Sequence, residues 1–254
     1  MTMFRFCLQR LIVRRTAAVL GVSGLLLSLP GCAMVSGPQN GSQSLSQVRI
    51  IDASPDAGGV DVYQGNGILA YNLGLGTITS YVQLTPGSYS ILVDTAGTRQ
   101  QLAIAGGTFA ASAQYTVLIG NTSNSLSETI LKDQTAPAPS GQVSLRVLDQ
   151  ATRAGAVDLY LIAGGSTIAT ARPILTNVVF GQNTGYFNVP SGTYTLVAVP
   201  TGTLPTTATG TSYTGASVTY GAGGAKSIVL IDQQLTTTPG LQVIIANDYD
   251  SASS

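Results

Sequence analysis

The chain has 254 residues, with 11 basic and 11 acidic side chains, no histidine and a formal charge of zero. The lack of His excludes Ser–His and Cys–His nucleophile pairs, His metal ligands and the usual neutral-pH general base. Charged residues make up only 9% of the chain and form no basic run in its body, which excludes a nucleic-acid surface built on a concentrated positive patch.

The N-terminus reads as an address rather than as fold. Arg5, Arg10, Arg14 and Arg15 form a basic region, followed by an uncharged, mostly apolar run from Thr16 to Leu29. That run has the length of a signal-peptide core and falls short of the roughly 20 apolar residues of a spanning helix. Leu29-Pro30-Gly31-Cys32 then resembles the lipobox of bacterial lipoproteins, with Pro30 departing from the small residues usual there. The resemblance implies cleavage before Cys32 and attachment of palmitate-type acyl chains to it. The alternatives are an uncleaved anchor or an ordinary buried Cys. Ala33 is not the Asp that favours inner-membrane retention, so the outer membrane is preferred. Arg14-Arg15 hints at twin-arginine export, but the following residues fit the general secretory route better. Cleavage would remove Cys7 and four basic residues, leaving seven basic against 11 acidic side chains, a charge of −4 and no disulfide.

The body repeats itself. Val48 to Tyr63 (VRIIDASPDAGGVDVY) aligns without gaps on Leu145 to Tyr160 (LRVLDQATRAGAVDLY). Tyr81 to Val93 matches Tyr186 to Ala198, and Tyr115 to Gly120 is matched to Ser227 to Asp232. Each repeat closes on a short apolar run ending in Asp, at Asp133 and Asp248. The runs are short, β-branched or aromatic, and punctuated by Gly and Pro, with alternation visible in Tyr89, Ile91 and Val93 against Ser88, Ser90 and Leu92. No part of the body carries a sustained helical period. The pattern predicts an all-β protein: two tandem antiparallel β-sandwich domains, immunoglobulin-like or transthyretin-like, behind a lipoprotein signal peptide. The expected boundaries are a signal peptide over 1–31, a lipidated Cys32 and tether over 32–46, a first sandwich over 47–133, a Pro-rich spacer over 134–141, a second sandwich over 142–248 and a tail over 249–254.

The blocks VRIIDASPDAGGVDVY, LGTITSYVQLTPGSY and LKD resemble the domain-of-unknown-function family numbered 4397. Its members begin with a V-R-x-x-H-A-S-P-D-A-P-x-V-D-V-Y block and often occur in tandem in secreted or anchored bacterial proteins. The resemblance spans Gln47 to Asp133, and more loosely Gln142 to Asp248. Asp52 stands where the family has His, Gly58-Gly59 replace its Ala-Pro-like step, and Ala151-Thr152-Arg153 replace Ser54-Pro55-Asp56 in the second repeat. The family brings no established activity.

Several residues are candidates for a site. Arg49 with Asp61, and Arg146 with Asp158, recur in both repeats, either as a shared ligand contact or, as preferred here, as cross-strand ion pairs that set register. Asp52, Asp56 and Asp61 could offer oxygens to Ca²⁺, but turn chemistry explains them better. No Ser-x-x-Lys spacing involves Lys132 or Lys226, and Glu128 is the only Glu, so catalytic residues, metals and cofactors are all expected to be absent. Tyr71, Tyr81, Tyr186, Tyr213 and Tyr220 could line a partner- or sugar-binding face, and the Thr/Gly-rich insertion from Thr201 to Gly215 could form a contact loop. The expected function is that of a non-enzymatic cell-envelope lipoprotein, a spacer or interaction surface. Its expected partners are the membrane through Cys32, an envelope protein or a polysaccharide. The alternative is an envelope receptor holding a small molecule or glycan between the two domains.

Overall fold

Strands that alternate between apolar and polar residues have one wet face, whereas uninterrupted apolar strands are covered on both. The chain contains both kinds, and their placement defines the architecture. The computed structural model describes residues 44–203, 212–233 and 240–250. The expected signal peptide, Cys32, nearly all of the expected tether and the centre of the 201–215 insertion lie outside the described residues.

In the first repeat, β1 (Ser46–Asp52), β4 (Val82–Leu84), β7 (Gln114–Gly120) and β8 (Ser127–Lys132) form one sheet in the order β4-β1-β7-β8. The second sheet has the order β3-β2-β5-β6 and comprises β2 (Val60–Gln64), β3 (Gly67–Leu73), β5 (Gly87–Thr95) and β6 (Gln101–Phe109). The second repeat reproduces both orders. Its first sheet is β12-β9-β15-β16, built from β9 (Gln142–Asp149), β12 (Asn183–Pro190), β15 (Ala225–Asp232) and β16 (Leu241–Tyr249). Its second sheet is β11-β10-β13-β14, built from β10 (Val157–Ala163), β11 (Leu175–Val178), β13 (Gly192–Pro200) and β14 (Tyr213–Tyr220). The chain is thus all-β in these residues, with four sheets grouped as two sandwiches.

One pairing in each repeat departs from the antiparallel expectation. β1 runs parallel to β7, and β9 parallel to β15. Parallel neighbours need a long crossover, and the excursion through the other sheet of each sandwich supplies it.

Each sandwich has its own core. Val48, Ile50, Val62, Ile91, Val93, Phe109, Val117 and Ile119 fill the first. Val143, Leu145, Val147, Leu159, Ala198, Tyr220, Ile228 and Leu230 fill the second. A third cluster explains why β1, β7, β9 and β15 are buried nearly throughout. Ile51, Ala53, Leu118 and Leu131 of the first repeat meet Leu148, Val229, Ile231 and Ala246 of the second. The two inner sheets therefore pack face to face, and the described residues belong to one compact unit. Burying a Leu or Ile side chain contributes about 2 kcal/mol, so this seam holds the repeats together firmly.

The connection over 134–141 is docked rather than a free spacer. Ala138 is buried and donates its N–H to Gly223 O at 3.0 Å, and Gln134 N donates to the Tyr186 hydroxyl at 3.2 Å.

Candidate functional site

The charged residues shared by the repeats meet at the centre of the seam. Arg49 lies opposite Thr116 in the β1–β7 register, and Arg146 opposite Ser227 in the β9–β15 register. Alternation along β1 sends Val48 and Ile50 into the sandwich core and Arg49 and Ile51 into the seam. Both guanidinium groups are consequently buried.

Each Arg crosses to the other repeat. Arg49 donates Nε to Thr116 Oγ1 at 2.9 Å, Nη1 to Asn247 O at 2.7 Å and Nη2 to the carboxylate of Asp248. Arg146 donates Nε to Ser227 Oγ at 2.9 Å, Nη1 to Lys132 O at 3.3 Å and Nη2 to Asp133 Oδ1 at 2.7 Å. The second carboxylate oxygens are also satisfied. Asp133 Oδ2 accepts from the Tyr81 hydroxyl and from Thr116, both at 2.7 Å. Asp248 Oδ2 accepts from the Tyr186 hydroxyl and from Ser227, again at 2.7 Å. The Arg49 guanidinium sits 4.9 Å from the Tyr81 ring centroid, and Arg146 sits 4.8 Å from that of Tyr186.

Two cations and two anions thus close a neutral cluster with local two-fold character. A lone buried charge would be prohibitive, so each ion here depends on the others. Burial raises the pKa of both tyrosines well above the usual phenol range. The neighbouring carboxylates, Asp133 for Tyr81 and Asp248 for Tyr186, raise them further, and the adjacent Arg opposes. Both hydroxyls therefore remain donors. Every member is engaged within the cluster and buried, and the cluster ties the two repeats together as a lock.

This corrects the expected Arg49–Asp61 and Arg146–Asp158 pairs. Asp61 lies on β2 in the other sheet, so the first sandwich core separates it from Arg49. Asp61 instead accepts Asn72 N at 2.8 Å and Gly97 N at 2.9 Å. Those backbone donors, with the Asn72 N–H contributing most, lower its pKa against the opposing effect of desolvation. Asp158 does the same work for Asn177 N at 2.8 Å and the Thr201 hydroxyl at 2.9 Å. Asn72 and Asn177 both adopt positive φ, at 47° and 54°, a conformation Asn tolerates well. The recurring Asp thus fastens a recurring turn.

The acidic trio does not converge either. Asp52 Oδ1 accepts its own Ser54 N at 2.9 Å, Asp56 Oδ1 accepts Ser123 N at 2.7 Å, and Asp61 is committed as above. Among the described residues no group of three or more His, Cys, Asp or Glu side chains gathers to hold a metal ion. The candidate tyrosines separate likewise: Tyr81 and Tyr186 belong to the lock, Tyr220 is in the second core, and Tyr71 is exposed on β3. At the rim of the seam a cavity of about 470 Å³ is lined by Gln47, Gln83 and Gln114 of the first repeat, Thr135 of the connection and Tyr249 of β16.

A family model described as a domain of unknown function (DUF4397) matches residues 46–160 as a single copy. The match spans the first sandwich and continues through β9 to Tyr160 of β10, just under half of the chain. No curated protein matches the chain. Among solved structures, it is similar to the Bacillus anthracis TIE protein at 11% identity and a TM-score of 0.25, over 76% of this chain and 34% of that one. The chain therefore spans about a third of that protein's length. It is also similar to CBMbc, of family CBM26, from Eubacterium rectale Amy13K in complex with maltoheptaose. That match has 12% identity and a TM-score of 0.23, over 81% of this chain and 98% of that one. Similarity at this level assigns neither ligand nor role. Among the described residues no helix is long and apolar enough to cross a membrane.

Proposed function

We propose that this chain is a non-catalytic lipoprotein of the bacterial cell envelope, tethered to the outer membrane through acyl chains on Cys32. Its two tandem copies of one sandwich domain act together as a stiff spacer and interaction scaffold. The observation that carries this reading is the reciprocal Arg49–Asp248 and Arg146–Asp133 lock, set in the apolar seam. Domains joined by a small polar contact move by default, whereas a large apolar interface suppresses motion. A stiff block on a lipid tether suits presentation of a surface at a fixed place. The basic segment, apolar run and Cys32 of the sequence support the anchor. The receptor reading keeps one supporting observation, the glutamine-lined cavity at the seam rim.

The test is intact mass and membrane fractionation in a Gram-negative host, for the wild type and for Cys32→Ser. The expected wild type lacks residues 1–31, carries acyl mass and sediments with membranes, and the variant becomes soluble. A wild type that is unlipidated, or a variant that remains membrane-bound after losing residues 1–31, overturns the anchor.

A further inference from the structure

The outer faces of the two sandwiches carry equivalent residues but are finished differently. In the second repeat Tyr160 pairs with Val197 across β10 and β13. The chain itself covers this pair: the eleven residues between β10 and β11 include a 3₁₀ turn over Ile168–Thr170. Ile168 and Ala171 pack there on Tyr160, Val197 and Val199. In the first repeat the corresponding connection is only the Gly65–Asn66 turn between β2 and β3. No roof follows it.

Among the described residues the face that stays partly open is a row across all four strands, exposed at its Ile68 and Ile104 ends while Tyr63 within it is buried beneath the Arg99 guanidinium. Ile68 pairs with Tyr63, Tyr63 with Leu92, and Leu92 with Ile104. Ile104 is 52% exposed and Ile68 38%. Beside the row, Tyr71 is 66% exposed at the edge of a cavity of about 740 Å³ that reaches Asp61, Tyr63 and Arg99. The Arg99 guanidinium lies 3.8 Å from the Tyr63 ring centroid and forms a loose 3.9 Å ion pair with Asp94. Asp94 takes the place corresponding to Val199, lies directly opposite Asp61 across β2 and β5, and has a buried Oδ1 with no hydrogen-bond partner. Two carboxylates and one guanidinium leave this end of the row with a net negative charge.

We propose that the outer face of the first sandwich is a docking surface for a short turn-forming segment of a partner protein. That segment carries an aliphatic residue followed closely by a basic one. Its aliphatic side chain seats on Leu92 and Ile104, beside the Tyr63 ring that Arg99 covers, much as Ile168 seats on Tyr160 and Val197. Its basic side chain meets the Asp61–Asp94 end. The chain's own roof has this composition, since Arg172 follows Ile168 and Ala171. The inference deepens the scaffold reading by naming the face used. It is independent of the lipid anchor, so its failure would leave the fractionation result intact.

The probe is a synthetic peptide of residues 164–174 (GGSTIATARPI), titrated into the ¹⁵N-labelled protein and followed by amide shifts. Saturable binding is expected, with shifts concentrated in β2, β3, β5 and β6. Ile104→Asp in the protein, or Ile168→Ser in the peptide, is expected to weaken binding at least about tenfold, the loss of one seated aliphatic group. Arg172→Glu in the peptide is expected to weaken it severalfold, and less so at high salt. Absence of saturable shifts, shifts confined elsewhere, or binding indifferent to Ile104→Asp would overturn the proposal. So would a protein dimer that Ile104→Asp dissociates, because a second copy would then be the occupant.

Discussion

Arg49→Met removes one cation from the lock while preserving much of the side chain's volume. It deletes the donors to Thr116, Asn247 O and Asp248 and leaves the Asp248 carboxylate with hydrogen bonds from Ser227 and Tyr186 and a loose 4.0 Å approach from Arg146. Removing one member of a buried pair costs about 3–5 kcal/mol because the other charge is stranded. Urea unfolding followed by far-UV circular dichroism reads this cost directly. Two double-mutant cycles locate the partner. Arg49→Met with Asp248→Asn is expected to cost less than the sum of the singles by about 1–3 kcal/mol, as for groups in one network. Arg49→Met with Asp61→Asn is expected to be additive within about 0.5 kcal/mol, because a sandwich core lies between them. Coupling to Asp61 together with additivity at Asp248 would refute the seam as described. The same experiment tests unity: the wild type is expected to unfold in one transition, and Arg49→Met combined with Arg146→Met in two.

Three further predictions use the same assays. Tyr81→Phe and Tyr186→Phe each remove a hydrogen bond to a buried carboxylate and are expected to cost about 1.5–3 kcal/mol in urea unfolding, with no effect on secondary structure. Burial, opposed only by the Ala105 backbone, pushes Glu128 up to about 8 from 4.5. The folded state then holds a proton that the unfolded state has released, so stability falls as pH rises from about 4.5 to 8. Glu128→Gln should flatten that slope, by about 2 kcal/mol once partial solvent access is allowed for, in melting curves at pH 5 and 8.5. A Cβ at Gly120 would meet Gln150 Oε1 of the other repeat at 1.9 Å, so Gly120→Ala should lower the melting temperature and Gln150→Ala should restore much of it.

The sandwich architecture was legible because strand chemistry is local. Short β-branched runs, turn residues and the 97-residue offset between Val48 and Leu145 fixed two all-β repeats. The lock was half legible. Asp133 and Asp248 stood out as closing residues and Arg49 and Arg146 as shared ones, but nothing local says that an inner strand will be covered on both faces. The VRIIDA and LRVLD runs, apolar on both faces apart from the shared Arg and Asp, were the available signal, since a strand with one wet face would alternate. A second obstacle was register. Matching Tyr115 to Ser227 is one residue out, because β1 and β9 place Tyr115 opposite Val48 and Lys226 opposite Leu145. A slip of one residue exchanges the two faces of a strand, and it concealed that Thr116 and Ser227 are equivalent partners of the two arginines. The roof was legible as length: the offset grows to 105 between Tyr81 and Tyr186, which places an insertion after Tyr160.

The lock is self-complementary, and this constrains how the pair of repeats holds together. Arg49 relates to Asp248 as Arg146 relates to Asp133, so each repeat presents an Arg and an Asp on the same face, and the face fits a rotated copy of itself. That is the logic of a two-fold isologous interface, realised here within one chain. The apolar part is less symmetric. Gly120 occupies the place that Ile231 holds in the second repeat, and Leu131 the place of Ala246. Two copies of the first repeat would keep both ion pairs but leave space where Ile231 packs, and they would lose the high effective concentration that the 134–141 connection provides. The first repeat expressed alone is therefore expected to dimerise more weakly than the two repeats associate in the intact chain. Arg49→Met is expected to abolish that dimer. Sedimentation equilibrium of the isolated repeat reads both outcomes, and a strictly monomeric, fully folded first repeat with Arg49 stably buried would show that the seam is not what satisfies its charge.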